Sequence, residues 1–229
     1  MTALLRYQSA ILLRSHRWIF PLIAYGVLIS VGATATMPLA DGLNWSAAIL
    51  VPVVAFLTRS MLTAEPQAAR ACAAAATGPA RAQLASLIVA VGGGVVLGVA
   101  GTCFEVLTAQ SVAAQPLPGI FSKVSATVAH PAALLAGLVT AAVCLLVGSA
   151  IGALCNPPLL RHPGLAMLST LAAVVVALAS DVSPASAALR SGDGAVRAPH
   201  WPGGVPLLAA VCLVGITWGA SLLAAAMRG

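Results

Sequence analysis

The chain has 229 residues, of which 60% are apolar and 7% charged, with a formal net charge of +6. A soluble domain carries about 25% charged residues, so these proportions exclude a water-soluble globule and a disordered chain. Eleven basic groups spread thinly over so apolar a chain read as orientation signals at a membrane, not as a nucleic-acid surface, and the length leaves room for one membrane domain, 1–229, without a separate catalytic domain.

The first element is Thr2–Arg17. At about 100° per residue, Leu4, Leu5, Ile11 and Leu12 fall on one side and Arg6, Arg14 and Arg17 on the other, with Leu13 out of place. This pattern predicts a short helix lying in the headgroup layer, its arginines toward anionic lipid.

Six apolar runs follow: Trp18–Ala35, Trp45–Leu62, Leu84–Phe104, Pro131–Leu154, Gly164–Ser180 and Val205–Met227. A membrane helix needs about 20 mostly apolar residues, and continuous Ala-, Leu- and Gly-rich runs of this length suit helices rather than barrel strands. The first run also has a basic leader and an Ala33-x-Ala35 motif, as a secretory signal does, but it exceeds the usual apolar core of one. The second contains Arg59, close enough to its end to snorkel. It also carries Trp45, Ile49, Pro52 and Phe56 at helical spacing, a stripe that reads as the lining of an apolar cavity or as ordinary core and lipid contact.

Thr63–Ala82, TAEPQAARACAAAATGPARA, is the largest loop on the basic side. Good helix formers after Pro66 predict a helix, and Gly78-Pro79 ends it. Its surface of alanines is too small to sink into lipid but suits the groove of another protein. Gly94-x-x-x-Gly98, Gly148-x-x-x-Gly152 and Gly215-x-x-x-Gly219 allow close helix contact, within one chain or between two. Gln110–His130 and Val182–Gly204, rich in Pro and Gly, read as irregular. Thr217, Trp218 and Ser221 offer polar handles in the last run.

Basic residues divide unevenly between the two sides. Arg6, Arg14, Arg17, Arg59, Arg70, Arg81, Arg161 and Arg228 fall on one, and Lys123, Arg190 and Arg197 on the other. Basic loops stay in the cytoplasm, so both termini are expected there. The predicted fold is an all-α integral membrane protein: six transmembrane helices preceded by the interfacial helix.

Chemistry is sparse. The sequence contains no GxxxxGK[ST] phosphate loop, no HExxH and no GxSxG. Its cysteines, Cys72, Cys103, Cys144, Cys155 and Cys212, form no CxxC pair and no zinc spacing, and read as small buried apolar groups. His16, His130, His162 and His200 lie near run ends. No charged residue is expected deep within a span, so the chain shows no energy source of its own.

The basic stretch Leu4–Arg17 running into the first span, the six-span count, and the loop Arg59-Ser-Met-Leu-Thr-Ala-Glu-Pro followed by Arg70 and Gly78-Pro79-Ala-Arg81 resemble the permease subunit of an ATP-binding-cassette exporter of the second permease class. That resemblance implies a bacterial plasma-membrane subunit exporting a hydrophobic drug, antibiotic, peptide or lipid. It also implies a partner ATPase holding ATP and magnesium, and a second permease copy or paralogue. Leu4–Arg17 would be the elbow helix. The loop would be the coupling helix, with Glu65, Gln67 and Arg70 meeting the ATPase and Arg161 near a second contact. Substrate would pass beside the second and fifth spans, with Trp45, Ile49, Phe56, Thr217 and Trp218 as candidate cavity residues. The class usually has re-entrant half-helices between its fifth and sixth spans, where Val182–Gly204 reads as short and broken. A competing expectation is the substrate-binding membrane subunit of a vitamin-type importer; an intramembrane enzyme lacks the needed Ser/His or paired-Asp set.

Overall fold

The computed structural model describes residues 2–16, 18–33, 39–113, 131–155, 163–197 and 204–227. Among the described residues it is all helix, without strands: α1 (Thr2–Arg14), α2 (Ile19–Ala33), α3 (Leu39–Ala64), α4 (Gln67–Thr77), α5 (Pro79–Ala113), α6 (Pro131–Leu154), α7 (Pro163–Ala179), α8 (Pro184–Arg197) and α9 (Gly204–Ala226). Four helices, α3, α5, α6 and α9, are each long and apolar enough to cross a membrane, and the bent pair α7–α8 makes a fifth if counted as one span. The α2 helix is apolar but shorter, Ile19–Gly32. The protein is therefore a multi-pass membrane protein by the length and composition of its helices.

The α3 helix is the central post, buried along most of its length between α5 and α6. It starts with Asp41 in its first turn, where a negative charge complements the helix dipole. It continues through Pro52 without ending, as a spanning helix packed by neighbours can.

Glycine lets the other helices approach α3. A Cβ on Gly148 would stand 2.6 Å from the Val51 carbonyl oxygen, and one on Gly152 2.7 Å from that of Ala55. The α6 and α3 backbones thus touch along Gly148-x-x-x-Gly152. Gly94 and Gly98 face Val54 and Leu50 of α3 from α5. Two of the three glycine motifs are thus spent on contacts inside the chain. Gly215 and Gly219 meet no neighbour among the described residues.

These contacts fix helix directions. The α3 and α6 helices run parallel and α5 runs antiparallel to both, since Gly152 meets Ala55 while Glu105 meets Gly42. One end of the bundle gathers Arg59, Arg70 and Arg81 and the other Asp41 and Glu105.

Three expectations need correction. Val182–Gly204 is not irregular throughout. The backbone N–H of Ala185 donates to Ser183 Oγ at 3.2 Å, with Pro184 as the first helical residue, a cap-plus-proline start that carries α8 despite Gly192 and Gly194. Second, α5 does not stop at Phe104 but runs to Ala113, which takes Glu105 into the helix body. Third, the cysteines are not uniformly buried: Cys144 and Cys155 are, whereas Cys72, on α4, and Cys103 and Cys212 are exposed.

Candidate functional site

A buried polar pair ties α1 to the junction of α3 and α4. Gln8 occupies the middle of the α1 stripe formed by Leu4, Leu5, Ile11 and Leu12, and it is 1% exposed. Its Nε2 donates to Glu65 Oε2 at 3.3 Å. Glu65 is 8% exposed, and its other oxygen, Oε1, makes no hydrogen bond among the described residues. The Tyr7 hydroxyl lies near the same carboxylate. Partial burial first, and the Glu65 carboxylate second, push that hydroxyl above its ordinary value.

The Glu65 carboxylate turns inward and ties α1 to the loop. A glutamine centred on an apolar helical stripe is the sequence signal for this, because a buried amide needs a partner. The partner is 57 residues away, beyond the reach of local periodicity.

Arg70 also turns back on the chain. Its guanidinium donates to the Leu62 carbonyl near the end of α3. The α4 helix begins after Pro66, whose carbonyl accepts from the Arg70 N–H at 3.0 Å. It ends at Gly78, with φ at +89° and its N–H on the Ala74 carbonyl at 2.8 Å. That φ requires glycine. Pro79 opens α5 at once. The predicted helix between Pro66 and Gly78-Pro79 is present with those bounds.

With Glu65 and Arg70 folded inward, α4 presents Ala68, Ala71, Cys72, Ala75 and Ala76 as one exposed stripe at helical spacing. Gln67 is the first residue of α4. Arg161 lies outside the described residues, as do most of Gln110–His130 and the loop carrying Asn156–His162.

The candidate cavity residues are not gathered in one place. Trp45, near the start of α3, donates from Nε1 to the Leu28 carbonyl at 3.1 Å and lays its indole over Gly32 of α2. Ile49 is buried in the cluster shared with Tyr25 and Ile29 of α2. Phe56 is half-buried on the same helix. Thr217 is buried on α9 and bonds its own backbone at Val214. Trp218 packs on Leu62, Leu87 and Ala153 at the arginine-rich end. Trp45 and Leu62 are 17 positions apart on α3, roughly 25 Å at the helical rise. The stripe on α3 is mainly a seam against α2, which is the core alternative the spacing had left open.

At the break between α7 and α8, bent by 40°, Arg190 Nη1 meets Asp181 Oδ1 at 2.5 Å, and Nη2 reaches the Asp181 carbonyl at 2.7 Å. Ser186 Oγ donates to the Ser180 carbonyl at 2.6 Å. Thr140 of α6 and Asn44 of α3 reach the α8 carbonyls of Ala188 and Leu189, both at 3.4 Å. These bonds seat α8 in the bundle, with Ala185 and Ala188 fully in the core.

Among the described residues, no group of three or more His, Cys, Asp or Glu side chains is placed to hold a metal. Compared with known proteins, the chain matches no family model, no curated protein and no solved structure.

Proposed function

We propose that this chain is the membrane permease subunit of an ATP-driven exporter of the second permease class, moved by a separate ATPase that binds ATP and magnesium. The observation that carries the reading is α4. It is a helix braced at both ends, by Arg70 on the Leu62 carbonyl and by Gly78, and its free face bears only alanine and Cys72. A rigid helix with a small-residue face suits the groove of a partner, and its bracing carries a push on it into α3 and α5. The α1 helix, latched to the same corner, takes the elbow position.

In this reading α2 and the α7–α8 pair count as crossings, giving six, with both termini in the cytoplasm. Two copies, or two related chains, pair in the plasma membrane and pass a hydrophobic substrate between them. ATP binding closes the ATPases, and the α4 helices follow as rigid bodies.

This reading expects a Walker-A ATPase encoded beside this chain, and the test is reconstitution with it. The permease should stimulate that ATPase, and Ala71→Trp or Ala75→Trp, which put bulk on the free face of α4, should abolish stimulation while membrane insertion persists. Stimulation that survives both changes removes α4 as the docking element. Transport by the chain alone in vesicles overturns the reading.

A further inference from the structure

Glu105 is an acid inside the bundle that the permease reading does not use. It lies within the apolar stretch Pro79–Thr108 of α5 and is 6% exposed. Its Oε2 stands 2.6 Å from where a Cβ on Gly42 would be, in the first turns of α3. Its Oε1 is buried and makes no hydrogen bond among the described residues. From α2, the buried Tyr25 places its hydroxyl against Gly101, one turn away on α5.

Among the described residues, the other titratable groups nearby do not neutralise it. Asp41, beside Gly42, is exposed and of the same sign, and Cys103 on α5 is exposed. The α6 helix, across α3, carries no charged residue. An ionised carboxylate held this way loses its hydration and gains no cation among the described residues, so its charged form is disfavoured. A metal ion or an organic cation needs room, yet the carboxylate lies flush on Gly42. A proton needs none.

We propose that Glu105 is a proton-binding site whose occupancy is tied to closure of α3 against α5 at the acid-bearing end of the bundle. In the closed arrangement the carboxyl carries a proton and rests on Gly42. When the two helices part, water reaches the carboxyl and the proton leaves to solvent. The closed form holds one more proton than the open form, so acid favours closure and alkali favours opening, by up to about tenfold in population per pH unit while the two forms differ in protonation. This inference requires no ATPase and stands apart from the permease reading.

The experiment uses the full chain in lipid vesicles. Infrared pH titration should show a protonated-carboxyl band at neutral pH that Glu105→Gln removes and Glu65→Gln leaves. Spin labels at Asp41→Cys and Leu107→Cys, with the native cysteines replaced by alanine, should then report the spacing of α3 and α5. The close population should fall as pH rises, and in the Glu105→Gln background it should stay close at every pH. Absence of a Glu105-dependent band at neutral pH overturns the proton site. A spacing that ignores pH, or whose pH response survives Glu105→Gln, overturns its link to closure.

Discussion

The Arg70 guanidinium donates to the carbonyl of Leu62, the helical carbonyl whose ordinary donor, four residues on, would be the nitrogen of Pro66. Proline has no N–H. The same proline that starts α4 therefore leaves an acceptor on α3 unfilled, and a side chain from the second turn of α4 fills it. Arg70→Ala should loosen the corner by about 1.5–3 kcal/mol, the usual worth of a bond to a charged group. Hydrogen exchange of residues 63–77 should rise roughly tenfold or more, while α6 is unchanged. Arg70→Lys, with one point charge in place of a planar fork, should recover only part.

Gln8 and Glu65 should behave as a coupled pair. Gln8→Ala leaves a buried carboxylate with less solvation and should cost about 1–3 kcal/mol in detergent unfolding. With Glu65→Leu already in place, Gln8→Leu should cost little or improve stability, because both polar groups are then gone. Additive effects in that double-mutant cycle would mean the two side chains do not interact.

Tyr7 gives the corner a pH signature. Its hydroxyl is raised above the ordinary value of 10.0 in the folded chain, so folding favours the protonated form. That contribution is complete below pH 10 and is lost as pH climbs through the raised value. In a Tyr25→Phe background, where Tyr7 is the remaining tyrosine, phenolate absorbance should appear above pH 10. Glu65→Gln should move it back toward 10. A Tyr7 titration that Glu65→Gln leaves in place would contradict the contact.

The glycine motifs should divide by location. Gly148→Ala and Gly152→Ala force a methyl against α3 backbone and should cost on the order of 1–3 kcal/mol. Gly215→Ala and Gly219→Ala meet nothing among the described residues and should change monomer stability by about 0.5–1 kcal/mol at most, in the favourable direction through helix propensity. A loss of association between copies in the second pair, without loss of folding, would place that face in a dimer.

Local rules carried much of the architecture. The α1 stripe, the Pro66 start and the Gly78-Pro79 stop of α4, and the bounds of α6 follow from periodicity and capping residues. The Gln8–Glu65 and Arg70–Leu62 contacts do not, because each depends on helices meeting in space. Glu105 escaped because its own charge marked the end of an apolar run, whereas backbone hydrogen bonding carries α5 on for two more turns. The α8 helix escaped because Pro and Gly dominate the composition of its segment, although Ser183-Pro184 is a helix start. The Trp45 stripe was legible as a face, but periodicity says nothing of what covers a face.

The single-residue turn at Gly78 joins α4 to a helix of 35 unbroken residues, roughly 50 Å long at the helical rise. Such a rod is a lever. A tilt of about 5° imposed at its arginine-rich foot sweeps its far tip through about 4 Å by that same length, more than enough to lift Glu105 off Gly42. One continuous helix thus joins the two ends of this molecule, and the proposed grip on the short helix would act on the far side of the membrane through it.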